Sequence, residues 1–239
     1  MEPLWQTLVQ WLHTLGIHLG APVASPSGPW VDATGSRMDL PSLVALAAAL
    51  GWASGFRLYA VVFLVGGAGQ MGWLALPPGL AVLQHPAMLL ISGFMMVVEF
   101  FADKIPGVDS VWDIVQSVIR IPAGAALAAG ALGADGATAT VVAALLGGAL
   151  AATSQAAKTT TRAAINTSPE PFSNMATSLA EDGAVVLVVW LASTHPVIFG
   201  VLLGVAVVLA WVVTLVLFKF LRGVLRRASA FLSGLQKAV

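Results

Sequence analysis

The chain has 239 residues, of which 58% are apolar and only 9% are charged, and its formal net charge is zero. This composition lies outside the range of soluble globular proteins and is typical of a multi-pass helical membrane protein. The balanced charge gives no basic excess for binding nucleic acid, and the absence of cysteine excludes disulfides, thiolate nucleophiles and sulfur ligands for a metal.

The first forty residues are predicted to lie outside the transmembrane domain. The opening places Leu4, Leu8, Trp11, Leu12 and Leu15 on one helical stripe, which is typical of an amphipathic helix that lies among lipid headgroups or packs on the bundle. Residues 20–40 are rich in Gly, Pro and Ser and are predicted to form an irregular linker.

Six segments are long enough to cross a membrane, which takes roughly 20 mostly apolar residues. They lie at about residues 40–69, 86–102, 111–133, 137–165, 172–193 and 196–221. Residues 70–84 are predicted to make an interfacial excursion between the first two. The expected fold is all-α, with a transmembrane domain at residues 41–221 and a basic amphipathic helix at residues 222–239, which suits an anionic membrane surface.

Six helices divide into two units of three, residues 41–133 and 137–221. Two copies of an odd-helix unit insert in opposite senses, as in the inverted repeats of transporters. In the first helix Ser54 precedes Arg57, and in the fourth helix Ser154 precedes Lys158. Acidic residues follow in the next helix of each unit, so the pattern predicts two inverted repeats.

Charged side chains cluster between the second and third predicted helices, in residues 97–120. Ionisable groups at membrane depth are unfavourable and usually face a partner or a water-filled cavity. The acids lie four apart in pairs, which places each pair on one helical face. The cluster indicates either a functional site or a turn that joins two helix ends through ion pairs. Its members are Glu99, Asp103, Lys104, Asp109, Asp113 and Arg120.

A second polar feature interrupts the first helix, where Ser54 and Gly55 precede Arg57. A loosened helix frees backbone groups that then need water, a neighbour or a ligand. The Arg57 guanidinium is expected to meet an anion or one of the protein's own carboxylates. The candidate carboxylates are Glu99, Asp103, Asp113, Glu181 and Asp182.

The fourth helix carries hydroxyl groups on several faces around Ser154 and Lys158. Such a helix lines a pore or packs tightly against its neighbours. In the fifth helix Glu181 and Asp182 are adjacent and point about 100° apart, so only one of them needs to face the interior.

Three stretches carry a resemblance to a known family: GWASGFRLYAVVFLVGGAG, FFADKIPGVDSVWDIVQSVIRIPAGA and SPEPFSNMATSLAEDG. Over about residues 41–217 the chain resembles a bacterial family of multi-pass membrane proteins, a domain of unknown function numbered four-one-two-six. The resemblance implies a membrane fold and a family signature, but no activity. The signature would contain Ser54, Gly55, Phe56, Arg57, Asp103, Lys104, Pro106, Asp109, Trp112, Asp113, Arg120 and Gly124.

The expected function is a membrane transporter or channel for a small charged solute or ion, coupled to protons or to a cation. The alternative is a non-transporting scaffold or lipid-interacting protein whose buried charges are structural salt bridges. No hydrolase, metalloprotease or phosphate-loop motif occurs, so we expect neither an enzyme nor a cofactor. The expected partners are the bilayer and a small ion or solute, without nucleic acid; a metal site and a homo-oligomer stay open. The candidate binding residues are Ser54, Arg57, Glu99, Asp103, Lys104, Asp109, Asp113, Arg120, Ser154, Lys158, Glu181 and Asp182.

Basic residues predict the orientation of the chain in a bacterial inner membrane, because short cytoplasmic loops collect Lys and Arg. With six crossings and both termini in the cytoplasm, nine of the eleven basic residues fall on the cytoplasmic side. These nine are Arg37, Lys104, Lys158, Arg162, Lys219, Arg222, Arg226, Arg227 and Lys237.

We therefore predict that a reporter that works only in the cytoplasm is active when it is fused after Val239, and that a reporter that works only in the periplasm is not. A fusion in the predicted outer loop near His195 is the matched control and should give the opposite result. Periplasmic activity of the fusion after Val239 would contradict this topology.

Overall fold

The computed structural model describes residues 38–105, 107–133, 136–167 and 171–236, with side chains except at 171 and 228–236. The predicted amphipathic segment and most of the linker lie outside these residues. The described residues contain six α-helices, one 3₁₀-helix and no strand. They are α1 (Leu40–Gln70), the 3₁₀-helix (Pro78–Gln84), α2 (Pro86–Ala102), α3 (Val108–Leu132), α4 (Ala137–Ile165), α5 (Pro171–Thr194) and α6 (Pro196–Gln236).

Five of the described α-helices are long and apolar enough to cross a membrane: α1, α3, α4, α5 and α6. The 3₁₀-helix and α2 meet at an angle of 68° and provide a sixth span if they are counted together. Leu80 and Leu83 of the 3₁₀-helix are buried, so this segment packs into the bundle. The prediction of an all-α, multi-pass membrane protein is confirmed.

The helix α1 is broken at Arg57, whose backbone angles of φ −148° and ψ 78° are not helical. The break frees carbonyl groups that a neighbouring helix must satisfy. The α4 side chain Lys158 donates to the Phe56 carbonyl at 3.0 Å, and Ser154 donates to the Trp52 carbonyl at 2.7 Å. The predicted interruption of the first helix is therefore present, and α4 supplies its hydrogen bonds.

After the break, α1 leads back toward the end of the bundle where it begins. Before the break, Gly51 packs against Gly147 of α4; after it, Gly66 meets Leu83 of the 3₁₀-helix. The start of the same short 3₁₀-helix packs against Gly130, which lies in the last turns of α3. This end of α3 is at the same height in the bundle as the start of α1. A straight helix would carry Gly66 about 22 Å beyond Gly51, away from Gly130. The 3₁₀-helix contacts Gly66 at one end and Gly130 at the other, and its seven residues are too short to join them if α1 is straight. The helix α1 therefore turns back at Arg57.

The start of α1 lies beside the start of α6, where Leu40 and Val44 line an apolar groove with Pro196 and Gly200. With six crossings and both termini in the cytoplasm, the sequence predicts instead that α1 begins on the side where α6 ends. The difference arises because hydropathy shows one long apolar segment and does not show that the segment reverses its direction at Arg57.

The first half of α1 and the helix α4 run in the same direction, as the contacts of Gly51 with Gly147 and of Gly55 with Ser154 require. Units related by an inverted repeat would run these two helices in opposite directions. The helix α4 is also continuous through its polar stretch. The inverted repeat stays a prediction, and these helix directions do not favour it.

The last helix, α6, has 41 residues and is therefore about 62 Å long, roughly twice the thickness of the hydrocarbon core. It continues without a break past Leu221 into the basic segment. The predicted boundary between residues 221 and 222 is therefore not a helix end. Most apolar side chains of α6 are exposed, as expected of a helix that faces lipid.

Glycines hold α1, α3 and α4 close together where α1 enters the bundle. A Cβ atom added to Gly51 would lie 2.7 Å from the Cα atom of Gly147, a distance that real Cβ contacts do not show. Small residues at such crossings allow helices to approach closely in a membrane.

We predict that Gly51→Ala lowers the free energy of unfolding by about 1–3 kcal/mol, because the added methyl group forces the helices apart. The matched control is Gly67→Ala in the same helix, where an added Cβ atom meets no heavy atom within 4 Å. Denaturant or thermal unfolding in detergent measures both. Equal stability of the two variants would contradict the close packing.

Candidate functional site

Ten charged side chains from α1 to α5 and the turn after α2 form one connected network of ion pairs. Nine of them are buried, and the side chain of Asp182 is 32% exposed. The cations are Arg57, Arg120, Lys158 and Arg162, and the acids are Glu99, Asp103, Asp109, Asp113, Glu181 and Asp182.

Arg57, at the break of α1, binds the end of α2 and the interior of α5. Its NH1 atom lies 3.1 Å from Asp103 Oδ2, and its Nε atom lies 2.9 Å from Asp182 Oδ1. Its NH2 atom donates to the hydroxyl of Ser178 at 2.8 Å. The expectation that Arg57 meets one of the protein's own carboxylates is confirmed, with Asp103 and Asp182 as the nearest partners.

Lys158 of α4 lies at the centre of the network. Its Nζ atom is 2.9 Å from Asp103 Oδ2, 3.1 Å from Asp113 Oδ1 and 3.4 Å from Glu181 Oε2. The same atom donates to the Phe56 carbonyl. One ammonium group thus joins carboxylates from the end of α2, from α3 and from α5 to the break in α1.

Arg120 of α3 holds two carboxylates at the deeper end of the network. Its NH1 atom donates to Asp113 Oδ1 at 2.8 Å and to Gln155 Oε1 at 2.9 Å, while its NH2 atom binds Glu99. Gln155 in turn donates to the Asp113 backbone carbonyl at 3.0 Å. Two acids therefore share one guanidinium group.

Arg162 of α4 forms a side branch of the network. It makes two hydrogen bonds to Glu181, at 2.8 and 3.3 Å, and donates to the Asp103 backbone carbonyl at 2.7 Å. It also binds the amide oxygen of Asn174, and its NH1 atom lies 3.7 Å from Asp109 Oδ2.

Sequence reasoning missed four polar members of this site: Gln155, Arg162, Asn174 and Ser178. Arg162 was assigned to the cytoplasmic end as part of the orientation count. Its spacing of four residues from Lys158 was the available signal, because residues four apart share a helical face. Asn174, Ser178 and Asp182 likewise lie four apart on one face of the fifth helix, but the uncharged amides and the hydroxyl were not assigned to the site.

Two predicted binding residues make hydrogen bonds to backbone carbonyls of α1. Ser54 donates to the Gly51 carbonyl of its own helix at 2.8 Å, and Ser154 donates to α1 at the Trp52 carbonyl. Both are fully buried and neither contacts a charged side chain of the network among the described contacts. These contacts support a role in helix packing, and the assignment of the two serines as ion-binding groups stays a prediction.

Lys104 lies at the edge of the network without a carboxylate partner among the described ion pairs. Its Nζ atom sits over the Phe100 ring, 2.9 Å from the centroid, and donates to the Ser178 hydroxyl at 3.4 Å. Partial burial lowers the pKa of Lys104, because it disfavours the charged ammonium, and nearby Asp182 opposes this effect.

Three threonine hydroxyls in the polar stretch of α4 donate hydrogen bonds within their own helix. Thr153, Thr159 and Thr160 each donate to the carbonyl four residues earlier, at 2.9, 2.8 and 2.7 Å. The prediction that hydroxyls of this helix line a pore gains no support from these groups.

Four carboxylate oxygens of the network are buried without a hydrogen-bond partner. They belong to Glu99, Asp103, Asp113 and Asp182. A buried carboxylate oxygen without a donor is unfavourable, and six carboxylates here face four cations. Chemically, such a site can accept protons or another positive charge. The described residues contain no group of three His, Cys, Asp or Glu side chains suited to a metal ion.

Comparison with known proteins gives a family and no activity. A family model described as a domain of unknown function (DUF4126) matches residues 44–215, a region that contains all ten charged residues of the network. No curated protein and no solved structure matches the chain.

We predict that Arg57→Ala lowers the free energy of unfolding by about 3–5 kcal/mol, because it leaves buried carboxylates uncompensated. Lys104→Ala is the matched control and should change stability by less than about 1 kcal/mol, because Lys104 is partly exposed and has no carboxylate partner among the described ion pairs. Folded yield and melting temperature in detergent measure both effects. An Arg57→Ala protein as stable as the Lys104→Ala protein would contradict the role of Arg57.

Proposed function

We propose, from the premise that this chain belongs to the DUF4126 family of unknown function, that it is a membrane transporter or channel for a small charged solute or ion, coupled to protons. The observation that carries the proposal is the surplus of buried carboxylates. Six acids and four cations meet in one network, and four carboxylate oxygens have no hydrogen-bond donor.

A purely structural network would not need this surplus. Desolvation offsets much of the attraction within buried ion pairs, and packed apolar residues replace such pairs at little loss of stability. Carboxylates beyond the number of cations add desolvation without a partner. Their presence is explained if a mobile positive charge occupies the network during part of a transport cycle.

A proton suits these carboxylates better than a separate cation. In Asp103 and Asp113, one oxygen already lies about 3 Å from a Lys or Arg nitrogen. A second cation bound at the other oxygen would be repelled at close range in a medium of low dielectric constant. A proton neutralises the carboxylate itself and supplies the O–H donor.

We propose that the network end of the bundle faces the cytoplasm of a bacterial inner membrane. This end contains the last turns of α2 and α4 and the first turns of α3 and α5. The exposed basic residues Lys219, Arg222 and Arg227 follow the crossing part of α6 at the same end, which the positive-inside rule favours. The C-terminus would then be cytoplasmic, as the sequence predicts, and the side of Met1 depends on residues 1–37.

The alternative function is a scaffold or lipid-interacting protein in which the network joins five helices. One observation favours it, since each buried cation contacts at least two partners. Under this alternative, neutralising a carboxylate changes only stability.

We predict that the purified protein in liposomes moves protons with or against a small charged solute, and that Asp113→Asn abolishes this flux without unfolding the protein. Lys158 and Arg120 keep other partners in the variant, so the fold should persist. Asp39→Asn is the control, because Asp39 is an exposed helix cap and Asn also caps helices.

Flux assays and thermal melts on the same preparations separate the two functions. Absence of flux for every ion, solute and pH gradient tested with the wild-type protein would support the scaffold and contradict the transporter.

A further inference from the structure

Six ion pairs of the network join seven side chains into one chain of alternating charge. In order, its members are Asp182, Arg57, Asp103, Lys158, Asp113, Arg120 and Glu99. The first five N–O distances are 2.9, 3.1, 2.9, 3.1 and 2.8 Å, and Arg120 and Glu99 are in direct contact.

The two ends of this alternating chain differ in their access to solvent. The Asp182 side chain is 32% exposed, whereas Glu99 has no exposed surface. The chain therefore starts at the surface of the bundle and ends at a sealed carboxylate. Glu99 Oε2 has no hydrogen-bond partner, so a proton could reside there without displacing a contact.

The unpartnered carboxylate oxygens follow this chain and not its branch. All four of them belong to the four acids of the alternating chain. In the branch, both oxygens of Glu181 accept from Arg162, and both oxygens of Asp109 accept from Asn166. The described buried carboxylate oxygens without a donor thus all lie along the alternating chain.

We propose that the alternating chain is a proton path, with Asp182 as the entry and Glu99 as the buried proton-binding site. The coupling of this path to transport rests on the proposed function, but the binding of protons along it does not.

Lys158 is the residue that passes the proton in the middle of the path. Its ammonium gives one proton to Asp113 Oδ1, and the neutral amine takes one from Asp103 Oδ2, so Lys158 ends as it began. A lysine can lose its proton in a buried site, whereas an arginine does not.

Arg57 and Arg120 stay charged, and each binds two carboxyl groups on neighbouring guanidinium nitrogens. At Arg57 the proton passes from the carboxylic acid of Asp182 to the carboxylate of Asp103. At Arg120 it passes from Asp113 to Glu99. Each transfer leaves a carboxylate behind and forms one new acid.

The groups that face the path from neighbouring elements are Arg162 on α4, Glu181 on α5, Asp109 on α3 and Lys104 in the turn after α2. Glu181 and Asp109 both pair with Arg162, so these three side chains together carry one uncompensated negative charge. Lys104 lies near the entry and donates to Ser178, the residue that also binds Arg57.

Infrared difference spectroscopy on the full-length protein tests the path, because protonated carboxylic acids have a carbonyl stretching band that carboxylates lack. After a drop in pH, the wild-type protein should gain this band, and Glu99→Gln should lose the component that belongs to Glu99. Asp182→Asn should keep that component but slow its appearance about 100-fold, the lower range of what a positioned proton-transfer group contributes.

Lys158→Arg separates a relay from a structural cation, because it keeps the positive charge but replaces an ammonium that can give up a proton by a guanidinium that stays protonated. It should slow the appearance of the Glu99 component as Asp182→Asn does. Asp39→Asn and Lys219→Arg are controls at exposed positions and should behave as the wild-type protein.

An unchanged band in Glu99→Gln would overturn the proposal, and so would wild-type kinetics in both Asp182→Asn and Lys158→Arg. If Glu99→Gln does not fold, the kinetics of Asp182→Asn still test the proposal, because a substitution at the partly exposed Asp182 is expected to leave the fold intact. Flux without the Glu99 band would contradict the path and leave the transporter standing. The band without flux would support the path and contradict the transporter.

Discussion

The contact between the break in α1 and the side chain of Lys158 is the constraint on which the rest of the structure depends. A helix that turns back at Arg57 exposes carbonyl groups inside the bundle, and Lys158 donates to one of them while it binds three carboxylates. The turn also places Arg57 beside Asp103, which fixes the end of α2. The bend in α1 therefore depends on the network, which supplies donors for its free carbonyl groups. The network in turn depends on the bend and on the ends of four helices, which bring its charged side chains together.

The charge surplus connects this architecture with function. A set of buried ion pairs with equal numbers of both charges could be a structural joint and nothing more. Here the acids outnumber the cations. The carboxylate oxygens without a donor lie along one route, from the partly exposed Asp182 to the buried Glu99. Protons explain both features, since they neutralise the excess and supply the missing donors. The alternative, a scaffold in which the network only joins five helices, explains the ion pairs but gives the excess of carboxylates no role.

Much of the fold followed from the sequence, and the limits of prediction have physical causes. Residues 86–102 and 137–165 were predicted with the observed helix bounds, because long apolar segments bounded by Pro and Gly are strong signals. The acids and Arg57 were recognised from the high energy of burying charge. The reversal of α1 was missed because hydropathy has no direction. Arg162 was missed because it lies in the last turn of a predicted helix, where a basic residue is expected to reach the cytoplasmic surface. The unpartnered oxygens depend on geometry alone.

We propose that the folded protein holds extra protons in its network, and the pH dependence of its unfolding measures them. The unfolded chain has ionised carboxylates near pH 7, so a native state that holds more protons loses stability as the pH rises. If two protons compensate the two surplus carboxylates, the free energy of unfolding should fall by up to about 2.7 kcal/mol per pH unit where they are released. A free energy of unfolding that stays constant or increases from about pH 5.5 to 8 would mean that the network holds no extra protons, and it would contradict the account.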